Sequence, residues 1–134
     1  MVADDNRLMS GEQTPDPIDR DAERRVLRWV LLTDRPAYAR FFEQDELEAA
    51  DFGVAEHRVI FTAMTLLFAD RLPIDVLTVA DRLEKHEELE AAGGDLAIHR
   101  LTAEGPPSIG PGDARDADSR RLKDLRRRRE ADGA

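Results

Sequence analysis

A chain of 134 residues with a net charge of −9 and no cysteine has room for one domain around a modest core, and it excludes disulfides, thiolate metal sites and cysteine nucleophiles together. Charged residues make up 37% of the chain and aromatic residues 5%, so the core has to come mainly from Leu, Val, Ile and Ala. No apolar run reaches membrane-spanning length, and the N-terminus has no basic-then-apolar signal pattern, so a cytoplasmic protein with no membrane partner is expected.

Residues 1–17 are polar, contain Pro15 and Pro17 and show no periodicity, which predicts a disordered leader. After Asp19, Ala22, Val26, Leu27, Val30 and Leu31 fall on one helical stripe, with Arg20, Glu23, Arg24 and Arg28 placed outside it. Asp34 and Pro36 predict the start of a short second helix, through a side-chain cap and a pre-set first turn. Tyr38, Phe41, Phe42, Leu47 and Phe52 are expected at the edge of the core.

The next helix carries Val59, Ile60, Ala63, Met64, Leu67 and Phe68, a wide apolar face that predicts the most buried element of the fold. Pro73 stops that helix and forces a corner. Asp75 is placed to cap a following helix with Val76, Val79, Ala80 and Leu83 on its buried stripe, and Ile74 and Val79 form a hydrophobic staple across the cap. EELEAA reads as a short acidic helix ended by Gly93 and Gly94, after which Asp95 caps a helix bearing Leu96, Ile98 and Leu101. EGPPSIGPGD predicts a loop.

A last helix over about 113–130 has only Leu122 and Leu125 as large apolar residues, so it is expected to fray unless a partner supports it. No strand-period alternation occurs, and the predicted fold class is all-α. The domain reading is a leader at 1–17, a helical body at 18–108 and a basic C-terminal helix or tail at 109–134, with a compact part over about 18–104 and mobile ends.

Charge is distributed unevenly. Residues 120–129 (RRLKDLRRRR) carry seven basic side chains against Asp124, +6, which leaves −15 on the rest of the chain. Arg120, Arg121, Lys123, Arg126, Arg127, Arg128 and Arg129 are therefore candidates for weak, non-specific nucleic-acid contact. The preferred reading of the run is a solvated helix end or a frayed tail.

Legible chemistry is sparse. No glycine-rich loop followed by Lys and Ser or Thr exists to surround phosphates, and Pro111 removes an amide from the Gly110-Pro111-Gly112 stretch. His57, His86 and His99 lack the spacing of a helical zinc pair, and EKHEELE offers carboxylates without a nucleophile or oxyanion donors. Neither catalysis nor a cofactor or metal is expected. A helix-turn-helix reading of residues 77–101 fails on charge, because both candidate helices are acidic where phosphates would sit.

The ordered series AERRVL (22–27), DF (51–52), HRVIFTAM (57–64), LPIDVLTVADRLE (72–84), EELEAAGG (87–94) and PPS (106–108) resembles the N-terminal domain of DnaB-type replicative helicases over about residues 18–108. The likeness rests on Ala22, Glu23, Leu27, Phe52, His57, Ile60, Phe61, Pro73, Asp75, Leu83, Gly93 and Gly94 as structural positions. In that family the domain is a helical collar on the helicase ring, and it contributes to docking primase and loader proteins while a separate ATPase domain unwinds.

The resemblance therefore implies an interaction module of the replication machinery, without a motor of its own. Its implied partners are a primase, a helicase loader or a full-length replicative helicase, and the chain itself is expected to be a monomer or weak dimer. This sequence departs from the family at Arg28, where a glycine is usual, at Gly53, where an aromatic is usual, and after Ser108, where the family enters a subunit-pairing helical hairpin. The alternatives are a small nucleic-acid-associated regulator acting through the basic tail, and a degenerate helicase remnant.

Overall fold

The computed structural model describes residues 17–103 and 112–133, the side chains of 112–115 and 132–133 excepted. The expected leader, apart from Pro17, and the EGPPSIGP part of the expected loop lie outside the described residues. In chain order come α1 (Arg20–Leu32), α2 (Arg35–Glu43), a 3-10 turn (Ala49–Asp51), α3 (Ala55–Ala69), α4 (Val76–Lys85), α5 (Asp95–Ala103) and α6 (Gly112–Gly133). No strand occurs among the described residues, so the fold class is all-α.

Helix starts follow the local chemistry of the sequence. Asp19 accepts from the Ala22 N–H and Asp34 from the Ala37 N–H, both at 3.0 Å. Asp75 and Thr78 form a reciprocal capping box at 2.9 Å in each direction. Helix ends are less legible: α2, α3 and α4 are each closed by a non-glycine residue in the left-handed region, Asp45, Arg71 and Glu87. In each case the next amide reaches back six residues inclusive, as Glu46 to Phe41, Leu72 to Leu67 and Glu88 to Leu83. Glu87 in that conformation stops α4, and 86–93 form hydrogen-bonded turns where a short helix was expected. Gly93 and Gly94 both have positive φ there, and α5 begins at Asp95 itself.

The most enclosed helix is α1, not α3. Eight of its thirteen residues are buried, because α3, α5 and α6 all pack against it, whereas α3 keeps an exposed side that includes Leu66. The aromatic residues also lie deeper than expected. All five phenylalanines, Trp29 and Tyr38 join in one ring network, with Phe61 touching Phe41, Phe42 and Phe52 at centroid separations of 6.1, 5.7 and 4.8 Å. Phe41 and Phe52 are fully enclosed. Few aromatics, gathered in one place, do the central packing.

On α4, Val79 and Leu83 are completely buried and Val76 and Ala80 partly so, which is the predicted stripe. Leu83→Ala is accordingly expected to destabilise the protein by about 2–5 kcal/mol through lost burial and the cavity left behind. A urea titration checks this, and an unchanged midpoint would show that Leu83 is not a core residue.

Candidate protein-interaction surface

Helical periodicity places Glu23 and Arg28 on the outer face of α1, and the structure corrects both. Glu23 is completely buried. Its carboxylate accepts from the Gly53 N–H at 2.7 Å, the Val54 N–H at 3.3 Å and the His57 ring Nδ1 at 2.7 Å. A carboxylate can only accept, so His57 Nδ1 carries the proton in that bond. The entry to α3 has no side-chain cap of its own, since Val54 occupies the cap position, and Glu23 supplies one from thirty residues upstream. Arg28 is also buried, and its Nη1 donates to the Leu101 carbonyl at the end of α5 at 3.3 Å. With no nucleophile beside them, these groups act as braces from α1 to its neighbours.

The basic helix is seated on its own chain, which overturns the expectation that it frays for want of support. Leu122 and Leu125 are buried, as is Ser119, and polar contacts run along the same face. Ser119 Oγ donates to Glu46 at 2.7 Å, Arg121 pairs with Asp19 at 2.9 Å and Lys123 with Asp51 at 3.1 Å. Arg126 reaches Asp51 at 3.4 Å and Glu48 at 3.5 Å. Arg129 donates to the carbonyls of Pro17, Ala50 and Asp51. In the other direction Arg25 of α1 makes a two-pronged pair with Asp118, 2.9 Å on each prong.

Asp51 is the hub of this seat. Its side chain is 1% exposed and also accepts the Glu48 N–H at 2.7 Å. Electrostatics follow the geometry: the Ala22 amide and the Arg121 guanidinium lower the Asp19 pKa. Hydrogen bonds to Asp118 raise that of Arg25, and those to Glu130 and Asp51 raise that of Arg126. A carboxylate with a lowered pKa contributes stability that is complete above its ordinary value of 3.8 and is lost as pH falls through the lowered one. The Asp19 tie to α6 therefore holds to below that value.

Of the seven candidate nucleic-acid contacts, Arg121, Lys123, Arg126 and Arg129 are thus engaged with the body. Arg128 lies 3.5 Å from Asp124, one turn away on α6. Arg120 and Arg127 are exposed. The three histidines are on different elements: His57 is against Glu23, His99 lies 3.5 Å from Asp95, and His86 is exposed at the end of α4. No cluster of potential metal ligands occurs among the described residues, and no described helix is long and apolar enough to cross a membrane.

An open apolar groove lies at the corner between α3 and α4. Leu67, Leu72 and Pro73 line this groove of about 330 Å³, bordered by Arg82, Lys85 and His86. Arg82 is paired with Asp70 at 2.8 Å and Lys85 with Asp81 at 3.0 Å, so the rim is polar and nearly neutral around an apolar floor. Leu72 is 45% exposed, and Leu77 on α4 is 75% exposed. Periodicity singled out no surface residue here. The available signal was Leu77 itself, a large apolar side chain one position off the 76/79/80/83 stripe.

The remaining family positions are mostly interior: Ala22, Leu27, Phe52, Ile60, Phe61 and Leu83 are buried. Pro73 and Asp75 make the α3–α4 corner, and Gly93 and Gly94 the positive-φ turn before α5.

Comparison with known proteins gives one consistent picture. The family model for the DnaB-like helicase N-terminal domain matches residues 15–110. The replicative DNA helicase DnaB of Leifsonia xyli subsp. xyli is 36% identical over 103 residues, 77% of this chain and 22% of that protein. Its counterpart from Synechocystis sp. is 33% identical over 85 residues, 63% of this chain and 9% of that protein. This chain therefore spans less than a quarter of the length of either relative. Among solved structures, the crystal structure of the N-terminal domain of DnaB helicase from Mycobacterium tuberculosis superposes with a TM-score of 0.71 at 25% identity, covering 86% of this chain and 77% of that one.

Proposed function

Because this chain belongs to the DnaB-like helicase N-terminal domain family, we propose that it is a protein-interaction module of the replication machinery that docks a primase, a helicase loader or a full-length replicative helicase subunit. The observation that carries the proposal is the family match across the whole helical body, residues 15–110. The α3–α4 corner is where docking occurs: its exposed leucines and nearly neutral rim suit burial against a partner. Titration of the protein with each of the three partners tests the reading. Saturable binding to at least one is expected, and Leu77→Asp, at a position too exposed to disturb the core, should weaken it at least about tenfold, as loss of an apolar anchor does. Binding to none of the three would overturn the proposal.

These 134 residues are not expected to bind nucleotide. No phosphate-cradling loop is present in the sequence, so calorimetry with ATP and magnesium is expected to give no saturable heat. Micromolar nucleotide binding would contradict this.

DNA contact through the basic end is the second reading. It has Arg120, Arg127 and Arg128 to work with, the other four cations being engaged by the body. A salt series separates the two readings, because phosphate-driven binding weakens steeply as salt rises.

A further inference from the structure

The chain passes from α2 to α3 through residues 44–54, and one flank of that crossing shows what chemistry it holds. There the basic helix α6 lies with Leu122 and Leu125 buried, while Glu46, Glu48 and Asp51 meet Ser119, Arg126 and Lys123. An apolar contact flanked by bonds to carboxylates thus seats a helix rich in cations.

Beside that seat, between the same crossing and α3, an open groove of about 210 Å³ has the same components. Leu47 and Phe61, both buried, form its floor, and Leu66, 44% exposed, stands at its edge. Thr62 and Thr65 also line it. Their hydroxyls donate to the Arg58 and Phe61 carbonyls one turn back, at 2.8 and 3.0 Å, so this wall asks for no polar partner. The charged residues of the lining are Asp45 and Glu48, with no cation among them. Glu48 meets Arg126 at 3.5 Å, but Asp51 and Glu130 share that guanidinium. Asp45 is exposed and pairs with no cation among the described residues.

We propose that this groove docks an amphipathic helix of a partner protein, with an apolar side chain placed against Leu47, Phe61 and Leu66 and with Lys or Arg on the flanking turns beside Asp45 and Glu48. The surface is separate from the α3–α4 corner, since no residue lines both grooves. A helix is the shape that fits. Thr62, Leu66 and Ala69 form an exposed stripe at helical spacing on α3, against which a second helix packs side by side. An added strand needs an open sheet edge instead, and no strand occurs among the described residues. Basic character follows from charge, because carboxylates at the rim attract Lys or Arg and repel both acidic helices and phosphates.

The probe is a synthetic peptide of about 15 residues, long enough to fold on contact, built from Ala, Leu and Lys with leucine on one face and both ends capped. Its counterpart carries Glu in place of Lys. Each is titrated into the isotopically labelled full chain and followed by amide chemical shifts. The Lys peptide should bind saturably, with affinity that falls as salt rises, and the largest shifts should fall within residues 45–49 and 61–69. The Glu peptide should not bind. Leu66→Ser should weaken the Lys peptide about tenfold through loss of the apolar wall, and Asp45→Asn should weaken it several-fold through loss of one charge. Leu77→Ser, on the other corner, should leave it unchanged. Asparagine tolerates the left-handed conformation that Asp45 holds, at φ 49°, so that variant tests charge alone. Equal binding of the two peptides, shifts spread over the acidic surface at large, affinity indifferent to Leu66→Ser or to Asp45→Asn, or no binding at all would each overturn the proposal.

Discussion

Glu23→Ala is expected to destabilise the protein by about 3–5 kcal/mol, the range for breaking a buried, hydrogen-bonded charge contact from one side. Three donors lose their acceptor at once: the Gly53 and Val54 amides and the His57 ring. Each donor left without an acceptor away from water costs roughly 1–3 kcal/mol, and the vacated volume beside Ala22 and Val26 adds to the loss. Glu23→Gln separates the two contributions. It keeps the volume and one acceptor oxygen, so about 1–3 kcal/mol should be lost. Chemical denaturation of the three proteins checks the order. Against a typical domain stability of about 5–15 kcal/mol, the alanine variant should be visibly marginal, and a loss below about 1 kcal/mol would show that Glu23 does not brace the start of α3.

The second large effect is at Asp51. Asp51→Ala removes the acceptor of the Glu48 amide and the partner of Lys123 and Arg126 together. Lost bonds to a buried carboxylate predict about 2–3 kcal/mol, concentrated in the seating of α6. Amide exchange should therefore accelerate throughout 112–133 while α1 and α3 keep most of their protection. Salt should act in the same direction on the parent protein. Asp19, Glu48 and Asp51 of the body are paired with Arg121, Lys123 and Arg126 of α6, and raising ionic strength from 0.1 to 1 M shortens the screening length from about 10 Å to about 3 Å. Exchange in α6 that is indifferent to both changes would mean that Leu122 and Leu125 alone hold the helix.

Features of the fold encoded within a few residues were legible in the sequence. Asp34 with Pro36, Asp75 with its corner at Pro73, the Leu83 stripe and the Gly93–Gly94 turn all depend on near neighbours. Features that depend on what packs opposite were not. Glu23 and Arg28 break the apolar period of α1, yet they are buried because α1 is enclosed by α3, α5 and α6, which no local pattern reports.

The seating of α6 depends on pairs such as Arg121 with Asp19, a hundred residues apart, so its two leucines looked insufficient on their own. Only the opposite charge of the helix and the body hinted at it. The short helix expected over EELEAA is replaced by turns, with Glu87 rather than a glycine taking the left-handed conformation just after α4. The exposed α3–α4 corner was partly visible: Pro73 marks it, but the exposure of Leu72 and Leu77 becomes apparent only once the buried stripe of α4 is set in place.

Membership of the helicase N-terminal domain family and the α3–α4 corner together make one claim, that a replication protein docks on that corner. Amide hydrogen exchange of this protein, alone and with saturating primase, loader or full-length helicase in turn, measures it most directly. Added protection over about residues 66–86 with at least one of the three is the predicted result. Unchanged exchange there with all three would contradict the account.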